Sequence, residues 1–298
     1  MNGILIIDKP EGFTSFDVVA VARGCLHERR VGHTGTLDPM ATGVLPVLVG
    51  SATKAQPLLP DTDKEYEAGF RLGLTTDTLD SSGRVLSKSD IWASRDDILA
   101  LMPGFRGKIM QKPPMYSAVS KNGVRLYELA RRGVEIEREE RQVEISLFEL
   151  TEFNEQTQQG RFRICCSKGT YIRVICDDIG RKLGCGCIMS SLRRTAACGY
   201  RLNDAVTVER LRELAAENRA QELVKPVDSI FSMLGSVSIS EKQAFRFNNG
   251  GALMLSRLRL HEKPEQGELL RVYDNEGVFL GLGIADREKE EMAVKKRF

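Results

Sequence analysis

Val31-Gly-His-Thr-Gly-Thr-Leu-Asp-Pro-Met-Ala-Thr-Gly-Val-Leu45 is the least ordinary stretch of this 298-residue chain. Its glycines at 32, 35 and 43 let backbone approach a ligand or turn left-handed. No Gly-Lys-Ser/Thr follows and no G-x-G-x-x-G is present, so it is neither of the common phosphate-binding loops. Asp38 precedes Pro39, which disfavours helix at Asp38 and suits a carboxylate held in a rigid loop facing a cleft. An aspartate that caps a following helix is the competing reading, and spacing alone leaves both open.

Working outward, Gly3-Ile-Leu-Ile-Ile-Asp8 reads as a buried strand closed by the turn Lys9-Pro-Glu-Gly12. Thr14-Ser-Phe-Asp17 carries a capping-box pattern for a helix to about Arg29, with Val18, Val19, Ala22 and Leu26 on one face. Tyr66 to Leu74 alternates as a half-buried strand, and Ser94-Arg-Asp-Asp97 opens a short helix ending near Met102. Further strands are expected at Val143 to Leu150 and Arg161 to Ser167. A helix from about Tyr171 should stop at Gly184, and an amphipathic helix should run from Thr207 to Asn218.

Strands and helices without regular βαβ alternation argue for an α+β fold. Lys225-Pro226 and the stretch 232 to 236 mark a boundary. Beyond it, a Ser240-Glu-Lys-Gln243 capping box and the hairpin signal Asp274-Asn-Glu-Gly277, between strands 269–273 and 278–284, predict a small β-rich domain.

Composition narrows the function classes. Hydrophobic residues make up 42% and charged residues 28%, ample for a core. No apolar run approaches the roughly 18 residues a membrane span needs, and the N-terminus lacks a signal-peptide pattern, so a cytoplasmic protein is expected. Seven cysteines without a C-x-x-C pair, and only three histidines, argue for reduced thiols and no metal site. The net charge of +2 hides two basic windows: Phe105 to Gly133 holds seven Lys/Arg and one acid, and Arg163 to Arg201 holds eight and two. A phosphate-binding footprint and a solvated surface both fit these windows.

The quoted loop resembles the signature of TruB-type tRNA pseudouridine synthases. The likeness continues at Gly3 to Pro10, at Lys64-Glu-Tyr66, and along Arg71-Leu-Gly-Leu-Thr-Thr-Asp-Thr78. It extends to Pro113-Pro-Met-Tyr-Ser-Ala118, Lys168-Gly-Thr-Tyr-Ile-Arg173 and Leu192-Arg-Arg-Thr195. It covers nearly the whole chain in order. The C-terminal segment is similar to the PUA-like domain of many bacterial members. Cys187-Ile188 depart from the Ala-His expected there and Cys198 from a common Gly, which puts details of the RNA path in doubt.

The resemblance implies a pseudouridine synthase fold with a mixed, largely antiparallel central sheet flanked by helices. The catalytic domain would span 1–232, with an RNA-clamping insertion at about 105–140, and the PUA-like RNA-binding domain 236–298. It implies isomerisation of the T-loop uridine (position 55) of tRNA after base flipping, which gains and loses no atom and so needs no cofactor. Asp38 is the implied central residue, by attack on sugar or base or in a stepwise elimination. Arg173 is its implied partner, and a nearby cation lowers a carboxylate pKa by about 1–3 units.

Tyr66 would stack on the base and assist proton removal from C5, and Leu192 would line the pocket against water. His33 would fill space left by flipped bases. Tyr171 would pack beneath Arg173 and Tyr66, and Lys9 stands among the substrate-binding set as a brace for the loop. The expected partner is tRNA, through its T-arm and acceptor stem, with Lys295-Lys-Arg297 as a candidate aid. No membrane and no obligate protein partner are expected, and a monomer is the default. Rival readings are a pseudouridine synthase acting on another RNA, a non-catalytic tRNA-binding or folding module, and an aspartate hydrolase.

Overall fold

Alternate residues of the strand Gly3–Lys9 enter two different cores, which makes this strand the spine of the larger sheet. Leu5 and Ile7 pack with Val18, Val19 and Ala22 of the helix Ser15–Leu26 and with Val208 and Leu211 of the helix Val208–Ala216. Ile4 and Ile6 face the other way, toward Phe231 and Ala52. A strand buried on both faces reads as a continuous apolar run, as this one does. The computed structural model describes all 298 residues except 61, 62, 118, 122 and 261, and the side chain of Lys121. Ala118 of the Pro113–Ala118 motif therefore lies outside the described residues.

The larger sheet runs, edge to edge, 206–207, 3–9, 42–49, 187–197, 64–72, 159–166, 141–154 and 107–111, with 31–33 and 200–201 attached at the side. Pairing is antiparallel except where Val206–Thr207 meets Gly3–Lys9 and where Cys187–Ala197 meets Thr42–Val49. This is the mixed, largely antiparallel α+β sheet expected. Its far half is filled by stacked aromatics, with Phe70 and Phe162 4.1 Å apart between ring centres, and is covered by the helices Arg95–Leu101 and Ile172–Leu183. A second sheet orders 236–238, 269–273, 279–286, 291–297 and 253–254, with the helix Glu241–Asn248 packed on it.

Locally encoded features stand where the sequence places them. Thr14, Ser94 and Ser240 each close a complete capping box, and Gly184 ends its helix at φ 75°. Other features depart from expectation. The quoted stretch 31–45, read as loop around Asp38, ends inside the eight-residue strand Thr42–Val49. The strands Cys187–Ala197, Gly107–Gln111 and Glu291–Arg297 were not foreseen. No helix follows Asp38, so the capping reading of that residue fails; its carbonyl accepts from Ala41 N–H in a turn.

Candidate active site

The loop between the strands Val31–His33 and Thr42–Val49 is held from behind by three buried side chains. Ser15 Oγ donates to the Leu37 carbonyl at 3.2 Å and accepts from Leu37 N–H at 2.8 Å. Lys9, with no exposed surface, donates to the carbonyls of Pro10, Phe13 and Pro39 at 3.0, 2.5 and 3.2 Å. Arg194, also without exposed surface, donates to Val44 O at 2.6 Å and Gly35 O at 3.2 Å. Gly43 is obligatory here: its φ is 103° and a Cβ would lie 2.2 Å from Arg194 O. The loop is thus a rigid bracket with Asp38 at its tip.

Asp38 faces a cavity of about 300 Å³ bounded also by Thr36, Tyr66, Ser117, Tyr171, Arg173 and Leu192. Arg173 Nη2 stands 3.0 Å from Asp38 Oδ2, and Nη1 stands 3.5 Å from Asp80 Oδ2. Further bonds go from Nη1 to Thr78 O at 3.0 Å and from Nη2 to Tyr116 O at 2.9 Å, so both terminal nitrogens of a buried cation are engaged and its direction is fixed. Asp80 is locked in turn, its Oδ1 accepting from Thr78 Oγ1, Ser82 N–H and Ser82 Oγ.

Burial pushes the Asp38 carboxyl above its ordinary value, a rise that Arg173 and Lys9 oppose and Asp80 assists. A cation lowering this carboxyl was the expectation; Arg173 does act that way, but desolvation outweighs it. With 38% of its side chain still open to the cavity, Asp38 retains part of its hydration. Burial likewise raises the Tyr66 phenol, against the opposing charge of Arg194, so the group is a neutral hydroxyl at neutral pH. Burial lowers Lys9 to about 8 and lowers His33 as well.

Of the residues singled out from sequence, Asp38, Tyr66, Tyr171, Arg173 and Leu192 meet around one cavity. Leu192 comes from Cys187–Ala197, paired with Ala68 on the strand Lys64–Leu72. Two do not reach it. Lys9 is sealed behind the loop with its ammonium spent on carbonyls, so it braces the loop and offers nothing to a ligand. His33 stands at the loop's start in a T-shaped contact with exposed Phe16, 5.4 Å between ring centres.

The basic window 163–201 is also not a uniform surface patch: Arg173 and Arg194 are buried, and Arg193 pairs with Asp8 at 2.8 Å. Cys187 and Ile188 are buried in the strand, while the Cys198 thiol lies 3.5 Å from Thr34 Oγ1 of the loop. Asp80 and Ser15 were missed. Ser15 sits inside the capping pattern at Thr14, and Asp80 two residues past a recognised motif; neither carries a local mark of its tertiary role. Among the described residues no cluster of three or more His, Cys, Asp or Glu is placed to hold a metal ion, and no helix is long and apolar enough to cross a membrane.

A rigid loop carboxylate paired to a buried arginine, in a nucleotide-sized cavity on a mixed sheet, defines a class. A chain in the crystal structure of a Cbf5-Nop10-Gar1 complex superposes with a TM-score of 0.74 at 27% identity, covering 99% of this chain and 84% of that one. Residues 23–172 match the N-terminal domain of the TruB family pseudouridylate synthases. Residues 173–232 match the tRNA pseudouridylate synthase B C-terminal domain, and 235–290 the C-terminal domain of pseudouridine synthase II TruB.

The chain belongs to the TruB family of pseudouridylate synthases. A tRNA pseudouridine synthase B of Stutzerimonas stutzeri is 43% identical over 286 residues, 95% of this chain and 91% of its own length. The protein of the same description from Clostridium perfringens is 42% identical over 289 residues, 97% and 96% of the two chains.

Proposed function

We propose that this protein isomerises the T-loop uridine of tRNA to pseudouridine, with Asp38 as the reacting carboxylate. The observation that carries the reading is the Asp38–Arg173–Asp80 constellation beside an open cavity of about 300 Å³, on a chain that matches tRNA pseudouridine synthase B relatives over nearly its whole length.

In the reaction the C1′–N1 bond breaks, uracil turns, C5 bonds to C1′, and the C5 proton is lost while N1 regains one. Detached uracil is a delocalised anion, so one carboxylate suffices where glycosidases employ two. Arg173 favours the ionised form of Asp38 and fixes its direction, and a pre-aimed group avoids reorganisation during the reaction. Tyr66, as a neutral phenol on the cavity wall, is suited to stack on the base, worth roughly 1–3 kcal/mol. Leu192 helps exclude the water that would hydrolyse the detached sugar.

In this reading His33 and Phe16, in ring contact at the start of the loop, occupy the space an extruded base vacates. Residues 1–232, with the insertion at about 105–140, form the catalytic unit in this reading. Residues 236–298 form an RNA-binding unit for the acceptor stem, recognised through phosphates and shape. The protein works as a monomer in the cytoplasm without an obligate protein partner.

A T-arm transcript tritiated at C5 of its uridines tests the proposal. Wild-type protein should release tritium and retain the base as a C-nucleoside. Free uracil in the supernatant would point to a hydrolase, and binding without release to a tRNA-binding module.

A further inference from the structure

Gln111 ends the strand Gly107–Gln111 and is 3% exposed. Its amide is spent on a single residue: Oε1 accepts from Tyr171 N–H at 2.7 Å, and Nε2 donates to Tyr171 O at 3.1 Å. Tyr171 is the residue from which the helix Ile172–Leu183 starts, and no side chain of that turn caps it. Helix starts leave backbone groups that need partners, and here a residue of another element fixes the starting residue. Arg173 lies in the first turn, two residues on. Its Nη2 is shared between Asp38 Oδ2 and Tyr116 O. The start of the insertion is therefore fastened at two places, residue 111 to the backbone of the turn and residue 116 to the guanidinium of Arg173 itself.

From these contacts we infer that Gln111 is a positioning residue: it fixes the turn carrying Arg173, and so ties the Asp38–Arg173 geometry to the seating of the insertion. The inference deepens the proposed isomerisation and rests on it. A displacement of about 1 Å in a reacting group costs on the order of 10²-fold in rate. An amide holding both backbone groups of Tyr171 resists such a shift, which a single apolar contact does not. Arg173 and Lys9, the latter behind the loop, favour the Asp38 carboxylate and Asp80 opposes it, while Tyr66, Lys64 and Lys168 line the same cavity. If the Arg173 turn slackens, burial and Asp80 are opposed chiefly by Lys9, and the carboxylate is harder to ionise.

Single-turnover tritium release at saturating T-arm RNA, followed across pH, tests this. Gln111→Met keeps the length of the side chain and loses both bonds. It is expected to slow release about 10- to 100-fold and to hold RNA affinity within about threefold of wild type. The acid limb of the pH–rate profile should move to higher pH. An unchanged rate overturns the inference. So does a slower rate with an unmoved acid limb, because a merely structural role lowers the amount of folded enzyme and leaves the titration in place. Should Gln111→Met fail to fold, Gln111→Asn, whose amide is one methylene too short for both bonds, is read by the same two criteria. Wild-type protein that releases no tritium would instead sink the underlying reading of the reaction.

Discussion

At the scale of the residue, the site turns on which of two effects governs Asp38. Burial raises its carboxyl, and the guanidinium of Arg173 at 3.0 Å holds the rise in check. The proposed reaction uses the ionised form. Activity should therefore fall with acidification through a pKa above the ordinary carboxylate value, earlier than an exposed aspartate would dictate; a pH–rate profile at saturating RNA reads this directly. An acid limb at or below about 3.9, the unperturbed aspartate value, would mean that Arg173 outweighs burial. Asp38 and Arg173 were visible in the sequence because they sit in motifs that resemble a family's. Asp80, Ser15 and Gln111 were not, because each acts on a distant residue: Arg173, Leu37 and Tyr171. A buried aspartate with Ser and Thr around it looks, in sequence, like any turn.

At the scale of the element, the strand Cys187–Ala197 shows why some structure stayed hidden. Its run of Ser190, Ser191, Arg193 and Arg194 reads as solvated surface, yet Arg194 is sealed inside, paired in register with both Gly43 and Tyr66. Capping boxes at Thr14, Ser94 and Ser240 were legible because both partners lie within four residues. The bracket that holds Asp38 depends on the close approach of Gly43 to the Arg194 backbone. Gly43→Ala would combine a Cβ 2.2 Å from Arg194 O with an unfavourable φ of 103°, and should destabilise the fold by about 2–4 kcal/mol. Denaturant unfolding checks the magnitude. Wild-type stability in this variant would show that the loop has room to move, contrary to its dense anchoring.

At the scale of the molecule, the two sheets share a seam. Leu282 of the second sheet joins the core of Ile4 and Phe231, and Phe279 and Phe298 pack on Phe231 at 6.4 and 5.7 Å between ring centres. The sequence marked a boundary near residues 232 to 236 through its turn residues. It gave no sign of this apolar joint, which is built from residues far apart along the chain. A chain ending at residue 232 would bare Phe231 and Ile230, and should lose about 3–5 kcal/mol of stability as well as tRNA affinity, from the burial of Leu282 and two partly buried phenylalanines. Equal stability of the shortened chain, measured by urea unfolding, would mean the seam contributes little and the units are energetically separate.

The role of Asp38 is tested most directly by Asp38→Asn, which keeps the shape of the side chain and removes its charge. Tritium release from the C5-labelled T-arm transcript should drop by at least about a thousandfold, while a binding assay returns wild-type affinity for the same RNA. Release at the wild-type rate by Asp38→Asn would contradict the assignment of this carboxylate as the reacting group.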